Sequence, residues 1–355
     1  MKNKNQSTQI SEIGEFGLIE RLKKKIKTHN KLIIKGIGDD SAVIKSQKGQ
    51  ELLISTDLLI EGIHFDTTYM SLSHVGYKSV VVNLSDVFAM NATPSQITVS
   101  LGISSKYNVE DIESLYEGIN KAAKNYNINI IGGDISGAYA GLTISISVMG
   151  FQKKNKIVYR DGAKKGDLIV VSGDVGSSFL GLKVLQREKM VLSEHKTPKF
   201  AIDDIELKLK EYAYLIQRQI KPEAKMEVVN YFKQNDIIPT SMIDISDGLS
   251  PDLNHISKAS SVGYKIMESK IPIHQQTKNA SLDLNIDYLF AALYGGEDYE
   301  LLFTTSPKNK NLIDKTEGLS IIGELTEDSK NKTITKSNGE TLSLANKGWD
   351  HFQST

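Results

Sequence analysis

Acidic residues recur in this chain at the ends of short apolar runs, most of them beside a glycine or another small residue. Six such segments are GIGDD (36–40), STD (55–57), LSD (84–86), GGD (132–134), DISDG (244–248) and GGED (295–298). Each segment alone is typical of a turn or a helix cap. Together they favour a shared metal and phosphate site, because a buried carboxylate is costly unless a partner or a cation compensates it.

The residue composition narrows the identity of such a cation. The chain has no cysteine, which excludes disulfides, thiolate catalysis and cysteine-ligated zinc or iron–sulfur centres. Its seven histidines are scattered and no HExxH motif is present, so zinc is disfavoured. Clustered carboxylates suit Mg²⁺ instead, because Mg²⁺ prefers carboxylate, water and phosphate oxygens.

Charge and hydropathy restrict the partners and the location of the protein. Lys plus Arg and Asp plus Glu both number 43, so the formal net charge is zero and no nucleic-acid partner is expected. No run reaches the roughly 18 apolar residues that a membrane span needs. The opening residues 1–16 contain no apolar signal-peptide segment. We therefore expect a cytoplasmic protein with no membrane partner.

The order of the apolar patterns predicts an α/β or α+β protein with mixed sheets, because both halves of the chain combine strands with helices. A length of 355 residues favours two domains. The segment 153–167 is polar, basic and rich in turn residues, so the boundary is expected near residue 150. The predicted domains are 1–150 and 151–355.

Three helices have clear sequence signals. Apolar residues recur with helical spacing over 73–90, and Asp86 lies on one flank of that helix. Asn108 is the expected N-cap of the next helix. In the second half, Ser250 is expected to cap a helix whose first residue is Pro251, a favourable position for proline.

No familiar nucleotide-binding loop accompanies the acids. The motifs GxxxxGK[ST] and GxGxxG are absent, and so is the HRD and DFG pair of protein kinases. The segment SGDVGSSFLG (172–181) is the nearest candidate for a phosphate loop, although its pattern is more typical of an ordinary helix start. A nucleotide site in this chain therefore needs another design.

Seven segments together resemble the thiamine-monophosphate kinase family, within the aminoimidazole ribonucleotide synthetase superfamily. They are, in order, GIGDDSAV, STDLLIEGIHF, NLSDVFAM, IIGGD, YRDGAKKGD, DISDGL and YGGEDYELLF. Each is unspecific alone, but seven in this order and spacing are specific, and the resemblance extends from GEFGLI at residue 14 to GWDHF, which ends at residue 352. It implies transfer of the ATP γ-phosphoryl group to thiamine monophosphate with several Mg²⁺ ions. It also implies a homodimer formed by the first domains, which hold the metal and ATP site, and a second α/β sandwich domain that completes the active site.

The same resemblance implies the roles of particular residues. The Mg²⁺ ligands would be Asp40, Thr56, Asp57, Asp86, Asp134, Asp244 and Asp247. The contacts to ATP would be Ser55, Gly133, Asp134, Arg160 and Ser246. The contacts to thiamine monophosphate would be His64, Glu297 and Trp349. The phosphoryl transfer would be aligned by Asp134, Arg160, Asp244 and Asp247.

The chemistry of the reaction is consistent with these roles. Phosphoryl transfer requires mainly alignment and charge stabilisation. Arg160 can bind a phosphate bidentately, as a lysine cannot, and Trp349 could stack on a thiamine ring. A tail anchor at Trp349 and a structural histidine at His64 are the alternatives. No general base is nominated, because attack by an already ionised acceptor phosphate needs none.

Two other functions fit part of the pattern. One is a sibling ATP-dependent synthetase of the same superfamily, although selenophosphate synthetase typically needs a reactive cysteine or selenocysteine that this chain lacks. The other is a non-catalytic protein that binds Mg²⁺ and a nucleotide. Metal binding alone does not require Arg160, Glu297 or Trp349, so these three residues favour the kinase.

The segment NLSDVFAMNATP departs from the family pattern at Phe88 and Asn91, where small residues are usual, commonly glycine at the second position. Asparagine tolerates the left-handed backbone conformation better than most residues with a side chain. We therefore expect the helix to end here as it does with glycine.

Overall fold

The computed structural model describes residues 33–46, 49–194 and 210–344, together with Ile13, Gly17, Ile19 and Glu20. Within these residues, thirteen strands form one six-stranded and one seven-stranded sheet, and nine α-helices accompany them. The predicted mixed α/β fold is confirmed. No helix in this described part is long and apolar enough to cross a membrane.

The first sheet is built from the N-terminal part of the chain. Its strands are β1 (Ile33–Lys35), β2 (Ala42–Ile44), β3 (Glu51–Ile60), β4 (Thr93–Ile103), β5 (Asn129–Gly137) and β6 (Leu142–Gln152). Their order in the sheet is β1-β2-β3-β6-β4-β5. Neighbours are antiparallel except β4 and β5, which are parallel. Buried and half-buried residues alternate along β6, so one face of the sheet packs on the core.

Two helices belong to this part, α1 (Leu72–Ala89) and α2 (Val109–Asn125). The helix predicted over 73–90 is therefore confirmed within one residue. Asn108 caps α2 as predicted, in a capping box with Asp111. Asn91 has a φ of 57°, so it takes the left-handed conformation expected of it just after α1.

The second sheet is built from the C-terminal part. Its strands are β7 (Leu168–Ser172), β8 (Ser241–Asp244), β9 (Gly263–Met267), β10 (Leu301–Thr305), β11 (Leu319–Thr326), β12 (Lys332–Thr335) and β13 (Thr341–Ser343). Their order is β13-β12-β9-β11-β7-β10-β8. Neighbours are antiparallel except β9 and β12.

Seven helices accompany the second sheet in the part of the chain that the structure describes. They are α3 (Ser177–Glu194), α4 (Ala213–Ile220), α5 (Met226–Gln234), α6 (Leu249–Ser260), α7 (Gln275–Leu284), α8 (Tyr288–Tyr294) and α9 (Lys310–Asp314). Short 3-10 helices occupy Lys154–Lys156, Glu268–Lys270 and Pro307–Asn309.

The start predicted for α6 is wrong by two residues. The helix begins at Leu249 after Gly248, whose φ of 118° suits glycine, and not at Pro251 after Ser250. The reason is Asp252, whose carboxylate accepts hydrogen bonds from the backbone N–H groups just before the helix and replaces a Ser250 cap.

Helix α1 lies between the two sheets. Its buried residues Val80, Leu84 and Phe88 belong to a hydrophobic cluster that also contains Val148 of β6 and Phe303 of β10. The strands change from one sheet to the other between residues 152 and 168, close to the expected boundary. The division into domains at residue 150 stays a prediction.

Candidate active site

Three carboxylates from distant parts of the sequence meet beside α1. Asp40 lies between β1 and β2, Asp86 lies on α1, and Asp244 ends β8. One oxygen of each lies within 4.8 Å of the others, and Asp40 and Asp244 are buried. We refer to Asp40, Asp86 and Asp244 as the three-carboxylate cluster. The structure thus brings together three of the predicted metal ligands.

The electrostatics of this cluster favour a bound cation. Burial, with the charge of Asp40 added to it, raises the pKa of Asp244 to about 8. Burial and the charges of Asp57, Asp244 and Asp40 raise the pKa of Asp86 well above its ordinary range. Burial also raises the pKa of Asp57 to about 6. Buried carboxyl groups that lie close together are difficult to ionise. A hard divalent cation would stabilise their charged forms, so the cluster is suited to bind one.

Arg160 already neutralises one member of the cluster. Its Nε and Nη2 atoms donate to the two carboxylate oxygens of Asp40, over 2.9 and 3.0 Å. The Arg160 carbonyl accepts a hydrogen bond of 2.8 Å from Ser241 Oγ, which attaches it to β8. The guanidinium keeps further N–H donors that this pairing does not use.

The side chains of the STD motif in β3 point to both faces of the sheet, because side chains alternate along a strand. Ser55 Oγ donates to Asp86 over 2.5 Å, and the Asp57 N–H donates to Asn83 of α1 over 3.0 Å. Thr56 points the other way and donates to the Ile146 carbonyl over 3.1 Å. The structure therefore brings Ser55 and Asp57 to the cluster but not the Thr56 side chain.

The GGD motif lies on β5, at the edge of the first sheet. Gly133 pairs with Val99, and a Cβ at this position would lie 1.8 Å from the Val99 carbonyl oxygen, so only glycine fits. Asp134 pairs with Ser100 and is exposed. Because neighbouring residues alternate, Asp134 lies on the same face as Thr56 and outside the three-carboxylate cluster.

The DISDGL and GGEDYEL motifs are hydrogen-bonded to one another. The Glu297 N–H donates to the Ser246 carbonyl over 2.7 Å, and the Tyr299 N–H donates to the Ile245 carbonyl over 2.9 Å. Gly296 packs against this contact, where a Cβ would lie 2.5 Å from the Ser246 carbonyl oxygen. The predicted ATP contact Ser246 and the predicted acceptor contact Glu297 are therefore held in fixed relation.

Asp252 fixes the other side of the same loop. Its Oδ2 atom accepts from the backbone N–H groups of Ser246, Asp247 and Gly248 over 3.1 to 3.2 Å. Potential ligand atoms of Asp247, Asp252 and His255 lie within 4.8 Å of one another. This is a second group of potential ligands, and it contains the predicted ligand Asp247.

Glu297 is held by an ion pair and a hydrogen bond. Lys78 Nζ lies 2.8 Å from Oε1, and Gln219 Nε2 donates to Oε2 over 2.9 Å. Burial opposes ionisation of Glu297, but these two contacts outweigh it and lower the pKa, with a contribution from His64. The structure thus brings His64 near Glu297. Trp349 lies outside the described residues.

The candidate phosphate loop at 172–181 is an ordinary helix start. Asp298 accepts hydrogen bonds from the backbone N–H groups of Gly176 (2.7 Å) and Ser178 (3.2 Å). A side-chain carboxylate thus occupies the amides at the start of α3 that a phosphate would need.

Sequence reasoning missed several supporting residues: Lys78, Ser85, Gln219 and Asp252. Lys78 did carry a signal, because it is a charged residue inside the apolar stretch VGYKSVVV of α1. Asp252 carried one as well, since it follows the DISDG turn within the first turn of α6. Gln219 had none, because its contact is long-range.

An apolar cavity of about 470 Å³, wide open to the surface, lies at the start of α2. Its lining comprises Ile103, Tyr107, Asn108, Val109, Ile112, Glu113 and Tyr116. Ile103 pairs with Gly137 at the end of β5, four residues beyond the pair of Val99 and Gly133. The cavity therefore lies along the sheet from the GGD motif.

Comparisons with known proteins show what this chain is similar to. Residues 38–152 match the family model described as AIR synthase related protein, N-terminal domain. The thiamine-monophosphate kinase of Bacillus subtilis (strain 168) is 33% identical over 350 residues, which are 96% of this chain and 100% of that protein. The thiamine-monophosphate kinase of Aquifex aeolicus (strain VF5) is 34% identical over 345 residues, 97% of this chain and 100% of that protein. A solved structure described as AaThiL complexed with AMPPCP and TMP has a TM-score of 0.80 and 31% identity, and the match covers 98% of this chain and 100% of that one.

Proposed function

This chain belongs to the thiamine-monophosphate kinase family, and we propose that it transfers the γ-phosphoryl group of ATP to thiamine monophosphate, with ADP and thiamine diphosphate as products. The observation that carries the proposal is the three-carboxylate cluster beside Arg160, a site suited to phosphates with divalent cations. The similar structure that contains AMPPCP, an ATP analogue, and TMP supports the same two substrates.

The cluster is proposed to hold Mg²⁺, with Asp57 and Asp247 as further ligands. When bound, Mg²⁺ supplies neutralisation of the charge that two phosphorylated substrates bring together. Arg160 remains paired with Asp40 and offers its unused N–H donors to a phosphate of ATP. Ser55 and Ser85 orient the ligands, since each donates a hydrogen bond to one of the acids.

The reaction itself needs little from the side chains beyond alignment. An anionic oxygen of the acceptor phosphate attacks the γ-phosphorus, a new P–O bond forms, and the bond to the β,γ-bridging oxygen breaks as ADP leaves. No proton has to be removed from the attacking oxygen, so the proposal assigns no general base.

Thr56 and Asp134 are kept as proposed ligands on the exposed face of the first sheet. They lie on the side opposite Asp57, so they would bind a cation or phosphate apart from the three-carboxylate cluster. Gly133, in the same segment, is proposed to let ATP approach the backbone of β5.

The apolar cavity at the start of α2 is proposed to take the adenine ring of ATP. Tyr107 and Tyr116 offer aromatic surface on which a base can stack. The cavity lies along β4 and β5 from Gly133, and this supports a binding mode in which the base and its phosphates follow the sheet.

A homodimer formed through the first sheet is also proposed, with the domain division at residue 150. Exposed apolar residues support it: Leu58 and Ile60 lie on β3, and Ile131 and Ile135 lie on the edge strand β5. Unpaired strand edges and exposed apolar patches are typical of association surfaces. Sedimentation equilibrium would test it. The cytoplasmic location stays a prediction.

The proposed activity is tested by measuring ADP release from ATP and Mg²⁺ with and without thiamine monophosphate, with thiamine diphosphate assayed in parallel. We expect ADP release that depends on the acceptor and matches thiamine diphosphate one to one. ADP release that ignores the acceptor would contradict the proposal and favour a sibling synthetase.

A further inference from the structure

Lys78 is buried inside the protein, where it forms an ion pair with Glu297. Its side chain is 1% exposed, and its Nζ atom lies 2.8 Å from Glu297 Oε1. A buried ammonium is costly unless an acid pairs with it. Glu297 supplies that acid and keeps 29% of its own side chain exposed. The pair thus consists of a hidden cation and an acid that reaches the surface of the site.

Gln219 holds the second oxygen of the same carboxylate. Its Nε2 atom donates to Glu297 Oε2 over 2.9 Å, and its Oε1 atom accepts from Ser178 Oγ over 2.5 Å. Because Ser178 occupies the amide oxygen, the Gln219 NH₂ group faces Glu297. Both carboxylate oxygens are therefore fixed from the buried side.

The backbone of Glu297 is fixed as well. Its φ of 58° is left-handed, and Gly296 before it has a φ of 72°. Its N–H donates to the Ser246 carbonyl over 2.7 Å. A left-handed residue with a side chain is uncommon and persists where the surrounding structure imposes it, often at functional sites.

The charges around Glu297 favour a carboxylate. Lys78 contributes most after burial, and His64 adds to it. Burial raises the pKa of Tyr69 and Tyr299, and the negative charge of Glu297 adds to this in both, after Asp66 in the case of Tyr69. An oriented carboxylate accepts N–H donors and repels phosphate, so it suits the nitrogen-bearing end of an acceptor better than its phosphate end.

We propose that Lys78 is a positioning residue for acceptor specificity. With Gln219, it holds Glu297 as an oriented carboxylate that accepts an N–H donor from the aminopyrimidine of the acceptor, which leaves the phosphate end to the acids and Arg160. Lys78 itself touches no substrate, because it is buried behind Glu297. This inference rests on the proposed kinase function.

A double-mutant cycle between Lys78 and Glu297 tests it. The variants are Lys78→Met, Glu297→Gln and the combination, with Lys154→Met as a control that removes an exposed lysine. For each we would measure kcat, the KM for thiamine monophosphate, the KM for ATP and the melting temperature.

Lys78→Met is expected to raise the acceptor KM by about tenfold or more, because it loosens a hydrogen-bonded charged group, and to leave the ATP KM within about twofold. The combined variant should be no worse than Glu297→Gln alone in acceptor KM. It should also melt higher than Lys78→Met, since it no longer leaves a carboxylate unpaired. Lys154→Met should match the wild type.

Additive effects on the acceptor KM, or an unchanged acceptor KM in Lys78→Met, would overturn the inference while the wild type stays active. A wild type that does not use the acceptor would overturn the proposed function and the inference with it. If Lys78→Met does not fold, Gln219→Leu replaces it in the same cycle, with an expected rise of about threefold to tenfold from loss of one charged hydrogen bond.

Discussion

Ser85 Oγ donates a hydrogen bond of 2.6 Å to Asp244, and this bond joins α1 to the last residue of β8. The next residue of α1, Asp86, accepts a hydrogen bond from Ser55 of β3. Two consecutive residues of one helix therefore form hydrogen bonds to one strand of each sheet. The site exists only where the two sheets pack against α1, so its geometry depends on the whole fold.

Replacement of Asp244 by Asn should remove activity without unfolding the protein. We expect turnover to fall by about 10²-fold or more, as when one electrostatic group is lost from an active site. The melting temperature without metal should stay level or rise, because one of three mutually repelling acids is gone. Steady-state kinetics and thermal melts check this, with the exposed Glu317→Gln as a matched control. A large drop in melting temperature would contradict it.

Asp57 and Asp244 should make the metal-free protein lose stability as pH rises from about 4 to about 8. The folded-state pKa of Asp57 is about 6 and that of Asp244 about 8, both above the ordinary 3.8. The folded state therefore binds more protons than the unfolded state in this window, and stability falls as pH rises through it.

The predicted direction of this change in stability can be checked by denaturant unfolding. The wild type and Asp244→Asn would be compared in the presence of a chelator across the same pH range. The wild type should lose stability relative to the variant as the pH increases. Mg²⁺ should stabilise the wild type more at about pH 8 than at about pH 5, because its ligands must be deprotonated. An equal effect of Mg²⁺ at both pH values would contradict this.

Arg160→Lys should weaken the use of ATP. Lysine keeps the charge but cannot reproduce the two-pronged pairing with Asp40 or a bidentate phosphate contact. We expect the KM for ATP to rise about tenfold, which corresponds to about 1.4 kcal/mol, with a smaller change in the acceptor KM. Steady-state kinetics with each substrate varied in turn measure the two KM values. A rise in the acceptor KM alone would contradict the proposed contact between Arg160 and ATP.

Gly133→Ala and Gly132→Ala should differ sharply although they are neighbours. A Cβ at Gly133 would lie 1.8 Å from the Val99 carbonyl oxygen, whereas nothing lies within 4 Å of one at Gly132. Gly133→Ala should therefore reduce the free energy of unfolding by about 1–3 kcal/mol through overpacking. Equal stabilities of the two variants in urea titrations would show that the β4–β5 pairing is not as close as described.

Tyr116→Ala should raise the KM for ATP if the cavity at the start of α2 takes the adenine ring. Base stacking on an aromatic side chain contributes about 1–3 kcal/mol, so a rise of about tenfold is expected. The acceptor KM should not change. The KM for GTP should rise in the same way, because every base can stack on an aromatic ring, and an unaffected ATP KM would exclude this cavity as the base site.

The sequence predicted the parts of the site that rest on local patterns. The acids beside glycines, the helix over 73–90 and the Asn108 cap are short-range features, and the structure contains each element where its pattern indicates. The recurring acids favoured a shared site, but Asp40, Asp86 and Asp244 were assigned to it only through the family resemblance, because residue spacing does not tell which distant segments meet.

The contacts that hold Glu297 and the start of α6 could not be predicted from the sequence, for a physical reason. Lys78 and Gln219 reach Glu297 from helices more than 70 residues away in the chain, and no periodicity encodes such a pairing. The cap of α6 was misplaced because Asp252 reaches back to amides before the helix, and this competes with the Ser250 and Pro251 pattern.

Direct transfer between the two substrates is best tested by following the γ-phosphorus atom of ATP. Wild-type protein with Mg²⁺, thiamine monophosphate and ATP labelled with ³²P at the γ position would be quenched and its products separated. We expect label in thiamine diphosphate with the wild type, and labelling slower by about 10²-fold or more with Asp244→Asn. Label released as inorganic phosphate, with or without the acceptor, would contradict a direct transfer between the two substrates.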